Sequence, residues 1–319
     1  MFIEKKNRVF DRISKAKFIS KKKKQDASDL KRYSCWRNLR NLNKDSIELL
    51  FKQTDFFSFK HSGHLGDIIY SLPVIRQLTQ RFCKHPSELN LNLYSKVEFS
   101  DNNIFFKEKI YHPSGKYLLT ADSFNCIKPL LEFQDYISRV NIYNNEHVDF
   151  DLDYFRSCLF CLDRGNISKW YQSIIPINLS LEQPWLKSEK VYPDFKDHIV
   201  IARSTRYRWN DLSYSFLKKY PKVSFVGLEY EYELMKDVIP NLNYIQTNNF
   251  LELANVISSA KLFIGNQSSP FSIAEGLKVN RLLEVYQYAP NVDPVGGNCS
   301  VFSSQACFEF LVKDFYENY

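Results

Sequence analysis

Glycine is nearly missing from this chain: nine among 319 residues, less than half the usual ~7%. A sequence this poor in glycine keeps it mainly where backbone geometry needs it. Gly63, Gly66, Gly227, Gly265 and Gly276 all stand at the ends of apolar runs, and Gly296 and Gly297 form a pair near the C-terminus. Long apolar runs are absent too. None approaches the ~20 residues of a membrane span, so no bilayer crossing is expected. The lysine-dense first thirty residues lack the apolar stretch of a secretory signal. The seven cysteines, an odd count, suit a reducing, cytoplasmic setting better than a disulfide scaffold. Hydrophobic residues at 44% and charged residues at 25% exclude wholesale disorder. A length of 319 residues allows two domains of roughly 100–200 residues.

Charge is unevenly spread. The formal net charge is +7, yet residues 1–44 hold 15 of the 43 basic residues against four acids, Glu4, Asp11, Asp26 and Asp29. The rest of the chain is mildly acidic. Within residues 1–45, Phe2, Ile3, Val9, Phe10, Ile13 and Ala16 share one side of a helix, with Lys5, Lys15 and Lys21–Lys24 around or beyond it. A basic amphipathic helix of this kind could lie peripherally on the inner, anionic face of a membrane; a solvated tail reads equally well. No base-reading motif accompanies the charge, so no nucleic-acid partner is expected.

Beyond the arm the chain alternates strand and helix. Residues 55–60 read as a strand, 61–66 as a loop and 67–82 as a helix interrupted or restarted at Pro73. Strands at 89–94, 139–143 and 147–152 and helical stretches at 128–138 and 154–162 complete a first unit, 46–180. Residues 181–197, with Pro184 and Pro193, read as a linker. A second unit, 198–300, repeats the alternation: strands at 198–202, 223–226, 243–245, 262–264 and 281–285, helices at 213–220, 231–238, 250–259 and 272–277. Residues 307–316 form a final helix capped by Ser303 or Ser304. Short strands alternating with helices imply parallel sheets covered on both faces. Two such sets imply an α/β protein of two doubly wound, Rossmann-like domains whose strand ends face a central cleft.

Three segments carry candidate chemistry. In Lys60–Pro73, two glycines let a substrate approach the backbone, and Asp67 opens a helix whose dipole favours its ionised form. Such a carboxylate could act as general base toward a hydroxyl, or simply cap the helix. In Arg203–Trp209, three arginines and two hydroxyls follow a strand, a composition suited to a diphosphate or to an exposed basic loop. In Ile264–Leu277, a strand ends at Gly265, Ser269 can be an N-cap and Pro270 fits the first helical position, leaving N–H groups that favour an anion. Ser272 and Glu275 would form a capping box in a helix that began later.

Together the segments resemble the heptosyltransferase-like inverting glycosyltransferases, family 9, which have the two-domain GT-B fold. Gly66-Asp67, Leu72-Pro73 and Ile75-Arg76-Gln77-Leu78 match the N-terminal signature; Ser258-Ser259-Ala260 through Ile264-Gly265-Asn266-Gln267-Ser268-Ser269-Pro270 match the C-terminal one. Leu251–Ala254 and the loop from Gly227 to Glu231 fall where the family has a helix and a ribose-side loop. The resemblance spans about residues 54–285. It implies transfer of a sugar from a nucleotide-diphosphate donor to a glycan or glycolipid hydroxyl, without a cofactor or metal. By that resemblance Asp67 is the catalytic base. Ser204, Thr205, Arg206 or Arg208 hold the donor diphosphate, Glu231 approaches the ribose, and Ser268 to Pro270 face the phosphates. The last helix, residues 301–319, crosses back onto the first domain.

This chain departs from the pattern where Gln267 replaces Asp, Ser269 replaces Gly and Ser272 replaces His. Ring hydroxyl recognition then passes to Gln267 or Glu275. A non-catalytic binding or scaffolding shell, and a nucleotide-sugar epimerase on the same fold, stay open as alternatives. His61 and His64 flank the Asp67 loop and could touch acceptor or phosphate. Asp149, Asp151 and Asp153 would point the same way along a strand, a possible divalent-cation set but more in keeping with the acceptor-side strand. Cys158 and Cys161 lack a second pair at metal spacing and read as a buried helix face.

Overall fold

The computed structural model describes residues 19–20, 53–95, 117–157, 164–175 and 177–319. Of the basic arm only Ile19 and Ser20 are described, as helical and exposed. Cys158 and Cys161 lie outside the described residues. Among those described, no helix is long and apolar enough to cross a membrane.

The first domain contains β1 (Ser58–His61), α1 (Leu65–Phe82), β2 (Ser87–Leu91), α2 (Ala121–Glu132), β3 (Ile137–Ile142), β4 (Phe150–Asp151) and the short α3 (Ile167–Gln172). Its strands are all parallel, in the order β3-β2-β1-β4. Pro73 lies inside α1 and does not break it. Burial of Ile68, Ile69, Leu72, Val74 and Ile75 overrides the local break, and the Ser71 hydroxyl donates to the nearby Ile68 carbonyl at 2.7 Å.

The second domain contains β5 (Ile199–Ala202), β6 (Val223–Phe225), α4 (Glu229–Lys236), β7 (Asn243–Tyr244), α5 (Phe250–Ser259), β8 (Leu262–Asn266), α6 (Ser269–Leu277), β9 (Arg281–Glu284), β10 (Cys299–Phe302) and α7 (Gln305–Asn318). The predicted helix at 213–220 is a 3-10 segment, Ser215–Lys219, and β10 and α3 were not anticipated. The sheet is wholly parallel, ordered β10-β9-β8-β5-β6-β7. In each domain the chain starts in the middle, winds one way and then reverses. The reversal falls between β1 and β4 in the first sheet and between β5 and β8 in the second. Such a switch point opens a crevice at the C-terminal strand ends, where ligands of open α/β sheets bind. Asp67, in the first turn of the helix after β1, and the Arg206 loop after β5 each stand at a switch point.

Period-two alternation divides the second sheet's side chains between two cores. Val200, Ala202, Phe263 and Leu283 join the core that runs unbroken into the first domain, while Ile199, Ile201, Ile264 and Leu282 face the opposite side. Helix α7 covers that opposite side. Its Phe308, Val312 and Phe315 form one stripe packed with Tyr214, Leu217 and Tyr220, and Phe302 stacks on Phe308 at 4.0 Å. The buried stripe of α7, the helix expected to cross onto the first domain, thus lies against its own sheet.

Between the domains, α1 packs on α6 and α2 on α5. The stretch read as a linker is bound into that junction. Leu181, Trp185 and Leu186 are buried. The amides of Trp185 and Leu186 donate to the Gly276 carbonyl at 2.9 and 3.1 Å, and the Tyr136 hydroxyl donates to the Trp185 carbonyl at 2.6 Å. Gly276 is required here: a Cβ would stand 2.6 Å from the Leu186 side chain.

Candidate active site

The β1 side of the site is built on His61, which is fully buried. The Gly63 N–H donates to its Nδ1 at 2.7 Å, so Nε2 carries the proton and donates to the Tyr171 hydroxyl at 2.7 Å. Tyr171 in turn donates to the Asp67 backbone carbonyl at 3.0 Å. His61 therefore shapes the loop from inside, and is not the ligand-facing residue the sequence suggested. Gly63 is needed because a Cβ there would collide with the His61 ring and lie 2.8 Å from Asp67 Cβ. Gly66 differs: a Cβ would meet nothing within 4 Å. His64 precedes α1 and its Nδ1 lies 3.0 Å from the Leu118 carbonyl. Asp67, in the first turn of α1, is half-buried.

The three aspartates do not share one strand: Asp149 precedes β4, Asp151 ends it and Asp153 lies in the 3-10 turn Leu152–Ser157 that follows, and together they brace β1 and the residue after it. Asp149 accepts from Ser58 N–H at 2.7 Å, Asp151 pairs with Lys60 at 2.7 Å, and Asp153 accepts from Ser62 N–H at 2.9 Å and pairs with its hydroxyl. Burial, reinforced by Asp153, pushes the Asp151 carboxyl up despite Lys60. Among the described residues no group of three or more His, Cys, Asp or Glu could hold a metal ion.

On the β5 side, two fully buried residues fix the arginine loop. Glu284, ending β9, accepts from Arg203 Nε and Nη2 at 2.7 and 2.9 Å, from Trp209 N–H at 2.6 Å and from the Tyr214 hydroxyl at 2.7 Å. Asn266, ending β8, accepts from Ser204 N–H at 3.0 Å and donates to the carbonyls of Ser204 and Arg206 at 2.9 and 2.6 Å. Arg203 is thus satisfied by protein. Its neighbours are not: Arg206 Nε, Arg208 Nε and Arg208 Nη2 are buried with no hydrogen-bond partner. Burial pulls both guanidinium pKa values down, opposed at Arg206 by Tyr207, Glu231, Tyr230 and Asp67. Both remain cations. Between them Tyr207 adopts φ 50°, a left-handed conformation rare for an aromatic residue and costing of order 1–3 kcal/mol.

The Asp67 carboxylate acts electrostatically on both Arg206 and Tyr207 from the other domain. The remaining expected donor residues divide. Thr205 is exposed, and its N–H donates to Glu231 at 3.1 Å; the Ser204 hydroxyl accepts from Arg206 N–H at 3.2 Å. Ser268 is the N-cap of α6, but its hydroxyl bonds the Asn266 carbonyl instead of a first-turn amide, and Ser269 begins the helix.

Gln267 and Glu275 are committed elsewhere. Gln267 is bound to the Ala289 carbonyl, Asn291 and Tyr286 N–H at 2.6, 2.9 and 2.7 Å. Glu275, predicted to meet the donor, is buried in ion pairs with Arg281 and Lys278, both at 2.6 Å. The capping box of Ser272 and Glu275 does not form, because α6 begins at Ser269. Glu284, Asn266 and Tyr171 were missed. Asn266 sat within the matched motif; Glu284 showed only as an acid ending an apolar strand, and Tyr171 gave no signal.

No protein-family profile matches this sequence, and no curated protein does. Solved structures match in shape. A glycosyl transferase of family 9 from Veillonella parvula aligns with a TM-score of 0.50 at 11% identity, over 84% of this chain and 90% of its own. E. coli heptosyltransferase WaaC, solved with ADP-2-deoxy-2-fluoro heptose, gives 0.53 at 9% identity over 82% and 99%. E. coli ADP-heptose LPS heptosyltransferase II gives 0.55 at 10% over 83% and 98%. With two parallel, doubly wound sheets, the chain has the GT-B fold shared by these glycosyltransferases.

Proposed function

We propose that the protein is an inverting glycosyltransferase that moves a sugar from a nucleotide-diphosphate donor to a glycan or glycolipid hydroxyl. The observation that carries this reading is that buried guanidinium nitrogens of Arg206 and Arg208 lack hydrogen-bond partners, on a loop near enough to Asp67 for the carboxylate to act electrostatically on Arg206. The backbone around Arg206 and Arg208 is fixed by Asn266 and Glu284, so an anion would recover guanidinium hydrogen bonds that the fold leaves unmade. A diphosphate suits two such groups beside the first turn of α6.

In the reaction, Asp67 takes the proton from the acceptor hydroxyl. The oxygen attacks the anomeric carbon from the side opposite the diphosphate, the glycosidic bond to phosphate breaks, and configuration inverts. Negative charge growing on the leaving diphosphate is met by Arg206 and Arg208, which supply without a metal the stabilisation a cation would otherwise give. Glu231, which accepts from Thr205 N–H at 3.1 Å through one oxygen and from Leu228 N–H at 3.4 Å through the other, stands on the β6 side as the residue to approach the ribose. The departures at Gln267, Ser269 and Ser272 bear on which donor is taken, since Gln267 and Ser272 are turned to internal hydrogen bonds.

A thermal-shift screen across nucleoside diphosphates and nucleotide sugars tests this reading. Selective stabilisation by one nucleotide, lost in Arg206→Ala, supports it; no selective shift with any of them overturns it in favour of a non-catalytic shell. An epimerase would convert a stabilising nucleotide sugar with no acceptor present.

A further inference from the structure

The Asp67–Arg206 gap is bordered on one side by an aromatic cluster that the proposed chemistry leaves unused. Trp209 follows the arginine loop; Tyr286 and Tyr288 follow β9. Their ring centroids are 6.3 Å (Trp209–Tyr286), 6.0 Å (Trp209–Tyr288) and 5.5 Å (Tyr286–Tyr288) apart. Tyr207 joins the cluster to the catalytic gap, with its ring 5.8 Å from that of Tyr286 and its hydroxyl under the field of Asp67. Tyr288 is 60% exposed. A tyrosine so open, in a cluster of rings at a cleft edge, gains nothing for the fold and presents an apolar face with a polar rim.

Strand order decides what that face can meet. The arginine loop is central, after β5. Glu231 and Gly227 lie on the β6 side, and the tyrosines lie on the β9 side. If a nucleoside diphosphate sits on the arginines with its ribose toward Glu231, its base extends away from Tyr286 and Tyr288. The rings then border the end where sugars meet, next to the base that deprotonates the acceptor.

We propose that Trp209, Tyr286 and Tyr288 form a platform for a saccharide ring of the acceptor, packing against its C–H face. This rests on the glycosyltransferase reading and deepens it: the acceptor subsite extends onto the second domain and recognises an uncharged ring face. Tyr288 is the outer contact, and Tyr286, standing at 71° to Trp209 and 61° to Tyr288, props the two.

Saturation-transfer NMR with a panel of methyl glycosides of hexoses and heptoses tests the platform, using the full chain saturated with the nucleoside diphosphate that stabilises it best. The wild type is expected to bind at least one glycoside through ring C–H protons without displacing the nucleotide. Tyr288→Ala weakens that binding roughly fivefold, as expected for one lost aromatic face, while Tyr288→Phe restores it. Nucleoside-diphosphate affinity and Tm stay at wild-type values in both. A wild type that binds no glycoside, or a Tyr288→Ala protein that binds as well as wild type, overturns the platform. So does a Tyr288→Ala protein that loses affinity for the nucleotide sugar but not for the glycoside, which would assign the rings to the donor. Failure of every nucleoside diphosphate to bind instead strikes the underlying reading.

Discussion

Replacing Glu284 by Gln tests the foundation of the candidate site. The carboxylate is fully buried and accepts four hydrogen bonds, two from Arg203, one from Trp209 N–H and one from Tyr214. Glutamine has nearly the same shape but offers one acceptor oxygen, and its amide N–H groups confront donors. At least one donor then loses its partner, and the Arg203 charge is left buried and uncompensated. Removing one partner of a buried ion pair costs about 3–5 kcal/mol. At roughly 2–3 °C per kcal/mol for a domain of this size, Tm falls by about 6–15 °C.

The functional effect should exceed simple destabilisation. Arg203 and Trp209 bracket Arg206 and Arg208, so releasing them frees the backbone that carries those guanidiniums. Nucleoside-diphosphate affinity, measured by calorimetry well below Tm, should drop at least about tenfold. Adding Arg203→Met removes the stranded charge and should recover part of the lost stability, giving non-additivity of about 1–3 kcal/mol in the double-mutant cycle. Melting within about 1 °C of wild type, with unchanged nucleotide affinity, would refute this account of the loop.

Four further outcomes follow from the geometry. Asp67→Asn should cut turnover by a factor of about 100 or more while nucleotide binding stays near wild type; full activity in steady-state assays would remove Asp67 from the chemistry. Arg206→Ala should weaken nucleoside-diphosphate binding by roughly tenfold or more, and unchanged affinity would move the phosphate site. Gly63→Ala should destabilise by about 1–3 kcal/mol, since the new methyl meets the His61 ring, whereas Gly66→Ala, with open space around it and a better helix former, should keep or raise Tm. Loss of activity in Gly66→Ala despite that Tm would mark close ligand approach, and unaltered kinetics would argue against it. Burial, aided by Lys222, lowers the His198 pKa. Its contribution to stability is therefore complete above the unfolded value of about 6.5 and is lost as pH falls through the folded one. His198→Gln should flatten that acid loss in urea titrations, and an identical pH profile would exclude the effect.

Much of this molecule follows from local chemistry. The alternation of short apolar strands with amphipathic helices marked two doubly wound units. Scarce glycine marked the turn after β1, and the residues at both switch points were identifiable because they follow strand ends. What spacing could not convey was which side chain neutralises which. Arg203, Arg206 and Arg208 look alike in sequence; only Glu284, 81 residues beyond Arg203, separates the one that holds the loop from the two left open. Glu275 and Gln267 are donor-facing by motif position, yet Arg281 and Lys278 take the first and the 286–291 segment the second. Helix α7 had a readable apolar stripe, but a stripe does not name the surface it covers, and the vacant face of the second sheet decided that. Periodicity is a property of neighbours along the chain, whereas charge satisfaction and face-to-face burial depend on groups that only folding brings together.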